Sequence, residues 1–225
     1  MTGKAQKMHS DTFLNSKHCN GWLLLYWVMG INALAVLAYT PTQDLSTPQG
    51  ILEMIQMSVR LSVPFLYLAF VASSLYRLWP TTFSRWLRKN RRYIGLSFAA
   101  AMGWQLVFIV MLWIGHWDYY WQEVYKFASL ATEAPAYVVL YAMTITSFMP
   151  VRRKMNAKVW RVLHWVGIYL LWYGLTATYY AELANDIDVQ IIDYIYFYVG
   201  VTVYLVRLAD WLSERIIQRL KPRPS

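Results

Sequence analysis

A single cysteine, Cys19, means that the chain can form no intrachain disulfide and holds no cysteine-rich metal site. Charge is scarce as well: Asp, Glu, Lys and Arg make up 15% of the 225 residues, where soluble domains carry about a quarter. Carboxylates are the scarcer sign, 12 against 21 Lys and Arg, for a formal net charge of +9. No glycine-rich dinucleotide fingerprint occurs and no room remains for a soluble nucleotide-binding domain, so NAD(P)H or flavin chemistry requires a separate protein. Internal repeats and low-complexity segments are also absent from the sequence.

What fills the chain instead is apolar and aromatic: 58% hydrophobic, with 12 Trp and 18 Tyr. Several runs reach the ~20 residues that a helix needs to cross a bilayer. Trp and Tyr gather at the ends of these runs, as interfacial belts do. The pattern predicts an all-α polytopic membrane protein, six transmembrane helices in one bundle, at about 21–40, 59–79, 93–115, 134–150, 159–181 and 191–212. A weakly basic tail, 1–20, precedes this 21–212 membrane domain, and a basic tail, 213–225, follows it. The first tail carries His9, His18 and the free thiol of Cys19, and no small-residue cleavage site follows the first run, which reads as an uncleaved helix. Residues 48–58 are only partly apolar and are predicted to lie along the interface before the second span turns inward. Pro64 is predicted to bend that span.

The placement of charge matters more than its sum. Segments 4–17, 77–92, 152–161 and 207–223 hold all but two of the 21 basic residues. The alternate connections hold nine of the 12 acids, among them Asp44, Glu53, Asp118, Glu182 and Asp193. The positive-inside rule then predicts both termini in the cytoplasm. The charge is a topology signal and does not call for nucleic acid; the run RWLRKNRR (Arg85–Arg92) is also suited to anionic lipid headgroups. The aromatic stretch 113–127 reads as an interfacial anchor, with docking of a periplasmic partner as the other reading.

His164 is the one histidine set inside a hydrophobic run, RVLHWVGIYLLWYGLTATYY (Arg161–Tyr180), which raises the question of haem. Three stretches carry a likeness. Residues 58–79 (SVRLSVPFLYLAFVASSLYRLW), 91–108 (RRYIGLSFAAAMGWQLVF) and 144–164 (TITSFMPVRRKMNAKVWRVLH) resemble the second, third and fifth-span signatures of the ferric-reductase-like transmembrane domain. Within that superfamily the chain is most similar to the haem-binding membrane subunits of bacterial periplasmic methionine sulfoxide reductase systems. The resemblance implies a b-type haem between the helices and a transmembrane electron-transfer subunit of an oxidoreductase in the bacterial inner (cytoplasmic) membrane. It also implies a cytoplasmic flavoprotein donor and a periplasmic acceptor protein.

Carried over residue by residue, the family's third-span histidine falls on Gln105. The first fifth-span histidine is kept as His164, and the second falls on Ala177. Of the other histidines, His116 lies at the far end of the third span, ~36 Å along from Arg92 at 1.5 Å per residue. It cannot share a haem with His164 across a ~30 Å core. His164 with Met149 or Met155, or His164 alone, remain as ligation modes. Two function classes therefore stay open: an electron-transfer subunit, or a haem-free member of the fold that acts in assembly, partner binding or lipid binding. A solute transporter has less support, since the spans hold few ionisable groups and no inverted repeat. Arg60 reads as a contact to a haem propionate or an anionic headgroup, or as a snorkelling side chain. Asn32 and Gln105 read as amides that join helices, or that line a quinone pocket.

Overall fold

A computed structural model describes residues 14–124, 127–185 and 189–220. Residues 1–13 of the expected first tail (1–20), with His9, residues 221–225 of the expected last tail (213–225), and the acids Asp186 and Asp188 lie outside the described residues, while 213–220 continue the last helix. Among the described residues the chain is all-helical, without strands. The long helices are α1 (Gly21–Tyr39), α2 (Pro48–Leu78), α3 (Thr82–Gly115), α4 (Phe127–Ser147), α5 (Ala157–Asn185) and α6 (Ile191–Leu220). A short helix, Met149–Lys154, links α4 to α5. Four stretches are long and apolar enough to cross a membrane: Gly21–Thr42, Pro48–Leu78, Thr82–Gly115 and Ile191–Ile217. α4 has a shorter apolar stretch, Ala134–Ser147. α5 draws much of its bulk from Trp and Tyr, amphipathic residues that suit interfaces better than the hydrocarbon centre.

Two boundaries differ from the sequence expectation, each for a local reason. Residues 48–58 do not lie apart along a surface but form the first turns of α2. Thr47 caps the helix by accepting from Gly50 N at 3.2 Å, and Pro48 sits in the first turn, where its missing N–H costs nothing. Ile51 (1% exposed) and Met54 (0%) pack with Val36, Phe108 and Leu112, so this segment is core. The helix runs on through Pro64. Likewise α3 begins at Thr82, not near residue 93. Thr81 and Ser84 form a reciprocal capping box, and the arginines and lysine that follow are good helix formers.

The most extensive pairing is the α2–α3 hairpin; α6 packs on α2, α1 on α3, and α4 on α5. A core of Val63, Leu66, Phe70, Phe98, Leu140 and Leu171 lies where α2, α3, α4 and α5 meet. Small residues permit two close approaches. A Cβ on Gly167 would collide with the Met143 side chain of α4, and one on Gly200 would lie 2.6 Å from Tyr67 Oη and 2.8 Å from Thr176 Oγ1. At Gly103 and Gly174 an added Cβ would have nothing within 4 Å.

Each long helix has one terminus at an end rich in Lys and Arg, the basic end, and the other at the opposite, acidic end. Two ion pairs fasten α2 to α6 in parallel. At the acidic end Arg60 grips Asp193 through Nε (3.2 Å) and Nη2 (3.0 Å) and donates to Gln190 at 2.9 Å. At the basic end Arg77 grips Asp210 through Nε (2.8 Å) and Nη2, with Glu214 at 3.3 Å. Arg60 and Arg77 are seventeen residues apart, and so are Asp193 and Asp210. The matched spacing holds one register along both helices.

Candidate functional site

The described residues enclose a large cavity at the basic end, with a volume of about 1080 Å³. Its lining on α3 runs from Arg88 to Phe98, ten residues, or ~15 Å of depth at 1.5 Å per residue. Eight cationic side chains border it. Arg88, Lys89, Arg91 and Arg92 come from the first turns of α3, Arg152 from the short linking helix, Lys158 and Arg161 from the start of α5, and Arg207 from α6. No carboxylate borders it among the described residues. Farther in, Leu66, Phe98, Leu140, Ile168 and Leu171 form apolar walls. Charge at the mouth and hydrocarbon in the depth suit an amphiphilic anion.

The nearby acids relieve this charge only in part, through Asp210, which lies within electrostatic reach of Arg207. Asp210 and Glu214 both bind Arg77. Other cations rest on aromatic faces: Arg152 lies 4.4 Å from the Trp160 ring, Arg88 4.7 Å from Tyr76, and Arg92 5.4 Å from both Trp22 and Tyr93. Such faces attract a cation without neutralising it. Arg91 donates from Nε to Ala69 O at 2.9 Å and from Nη1 to Ser73 Oγ at 3.2 Å. Arg207 donates from Nη1 to Phe70 O at 3.2 Å and lies over the Phe70 and Tyr169 rings at 4.4 and 4.5 Å. The charges that bear on Arg91 are those of Arg207 and Arg77, of its own sign.

His164 borders the same cavity, but its ring nitrogen is engaged. Nε2 lies 3.2 Å from Thr146 Oγ1, whose hydroxyl donates to Ala142 O at 2.7 Å. With that proton directed to Ala142, Nε2–H is the donor to Thr146, which places the ring's lone pair on Nδ1. The partner is thus a hydroxyl of α4. Trp160 stacks on the imidazole with ring centroids 4.3 Å apart and donates Nε1 to Thr146 O at 3.1 Å.

The other expected ligand positions lie elsewhere. Gln105 accepts from Tyr137 Oη at 2.6 Å, joining α3 to α4, and does not line the cavity. Ala177, which has no donor atom, does not line it either. His116 caps α3 at the acidic end, its N–H donating to Leu112 O at 2.9 Å. Met149 borders the cavity at an exposed edge, and Met155 does not border it. No group of three or more His, Cys, Asp or Glu is placed to hold a metal ion among the described residues. The residues present do not fit a bis-histidine haem. Arg60, committed to Asp193 and Gln190, is also far from the cavity, at the other end of α2.

The feature that sequence reasoning missed is the convergence of Arg91 and Arg207. Both sit in runs that read as topology signal, and the signal that could have found them is Asp210. A carboxylate inside the sixth apolar run demands a partner, and Arg77 answers it, leaving Arg91 and Arg207 without an ion pair among the described residues. No family model, curated protein or solved structure matches this chain.

Proposed function

We propose that this chain is a six-span membrane protein, with both termini on the cytoplasmic side, that binds an anionic lipid in its basic-end cavity and carries no haem. The reading rests on one observation: eight cationic groups surround a cavity with apolar walls, and no carboxylate among the described residues borders it. Four of the eight, Arg91, Arg92, Arg152 and Arg207, are half-buried, and half-buried cations are costly unless a ligand supplies negative charge. The positive-inside rule supports a cytoplasmic basic end. The up-and-down order of the six long helices supports six spans, α4 and α5 being held by packing as well as by hydrophobicity. The resemblance to the ferric-reductase-like domain supports the bacterial inner membrane.

Electron transfer is the second reading, favoured by the presence of His164 at the cavity wall. It requires that His164 leave Thr146 and take up iron, with a flavoprotein on the cytoplasmic side and an acceptor on the periplasmic side.

One preparation separates the two. The full chain, expressed with ample haem and purified in mild detergent, is scanned oxidised and dithionite-reduced, and its retained lipids are extracted and identified by mass spectrometry. Enriched anionic lipid with a flat Soret region is the expected result. A stoichiometric Soret band that His164→Ala abolishes would overturn the proposal.

A further inference from the structure

Resting on the lipid-binding reading, we infer that the lipid is a phosphate monoester, its terminal phosphate held between Arg91 and Arg207. Arg91 arrives from α3 and Arg207 from α6, and they dock on the carbonyls of Ala69 and Phe70, consecutive residues of α2. Two guanidinium groups are thereby brought to one stretch of one helix, both bordering the cavity. Each guanidinium has five N–H donors. The contacts to α2 engage Nε and Nη1 of Arg91 and Nη1 of Arg207, and Tyr169 takes a further Arg207 donor; with five N–H donors each, both groups keep donors for a ligand. Asp210, the nearest acid to Arg207, is taken bidentately by Arg77.

Charge decides the headgroup. Two fixed positive charges are balanced by a phosphate monoester, which carries about −1.5 to −2 at neutral pH, and only half balanced by a diester. Arginine is also the side chain whose planar fork pairs with phosphate oxygens two at a time. The source is the bilayer and not the aqueous phase, for two reasons. The cavity is bordered by Val162 and Trp165, each 60% exposed on the flank of the bundle, so it opens sideways. Its apolar depth, at Leu66, Leu140 and Leu171, gives an acyl chain a place that a free anion would leave empty.

The test uses the full-length protein in detergent micelles, with bound lipid read by native mass spectrometry. The probes are dioleoyl phosphatidic acid, dioleoyl phosphatidylglycerol, dioleoyl phosphatidylcholine and inorganic phosphate. Phosphatidic acid should bind about tenfold more tightly than phosphatidylglycerol, as one additional charge-assisted contact would give. Arg91→Gln and Arg207→Gln should each abolish that preference, and Arg215→Gln, outside the cavity, should keep it. Should the glutamine variants fail to fold, Arg91→Lys keeps the charge and loses the fork. The wild-type melting temperature should then rise more with phosphatidic acid than with phosphatidylglycerol.

Equal retention of the two anionic lipids would overturn the monoester inference and leave the lipid reading standing. No preference over phosphatidylcholine would overturn both. Inorganic phosphate that binds as tightly as phosphatidic acid would replace the lipid by a free anion. A lower melting temperature in Arg91→Gln with the lipid preference intact would reduce the pair to a tie between helices.

Discussion

The two ends of the α2–α6 pair use the same residue types to opposite effect. At the acidic end one arginine meets one buried aspartate, whose side chain is 2% exposed, and Gln190 and Tyr196 complete the set. At the basic end Arg77 pairs with both Asp210 and Glu214, and among the described residues Arg91 and Arg207 are held by carbonyls, hydroxyls and rings, not by an ion pair. The first arrangement is closed upon itself and holds the fold. The second leaves a positive surplus facing a cavity, which is the condition of a ligand site. Charged residues in an apolar bundle are thus told apart by what they face, not by how many there are.

That contrast can be broken most forcibly at Asp193. Asp193→Ala leaves Arg60 without its partner, and breaking a buried pair costs roughly 3–5 kcal/mol. Thermal unfolding in detergent should show the loss, and the double variant Arg60→Leu/Asp193→Leu should recover much of it. A smaller effect is expected at Gly200, which tests whether α6 is placed by close contact as well as by its ion pairs. Gly200→Ala crowds Tyr67 and Thr176, and overpacking of this kind costs about 1–3 kcal/mol. Tyr137→Phe removes the bond to Gln105, a tie made without charge, and should cost only about 1 kcal/mol in the same assay. The smallest change is expected at the basic end itself. Lys158→Gln removes an exposed charge that makes no ion pair among the described residues, and lipid-free stability should move by less than about 0.5 kcal/mol. A large destabilisation there would erase the distinction between the two ends.

Much of this architecture was legible in the sequence. The apolar runs and their alternating basic and acidic connections mark the helices and the two ends. Residues 48–58 were misread because Glu53 and Gln56 dilute the run, while Ile51 and Met54 are the residues that pack inward. The start of α3 was missed because a basic loop and a basic first turn look alike until Thr81 and Ser84 are recognised as a cap. His164 drew attention as a ligand, but its role depends on Thr146, eighteen positions earlier, and a hydrogen bond at that separation leaves no local pattern. The Arg91–Arg207 pair was illegible for the same reason: it exists because α3 and α6 both meet α2 at Ala69 and Phe70.

The matched pairs Arg60–Asp193 and Arg77–Asp210 have a mechanical consequence. Seventeen residues of helix span ~25 Å at 1.5 Å per residue, less than the ~30 Å of a typical hydrocarbon core. Pinned at both ends, α2 and α6 cannot slide past each other to lengthen. In a thicker bilayer the strain passes to the surrounding acyl chains, which must compress around this rigid strut. Such a strut is cheapest to house where the membrane is thin, so thickness alone can sort the protein among lipid environments.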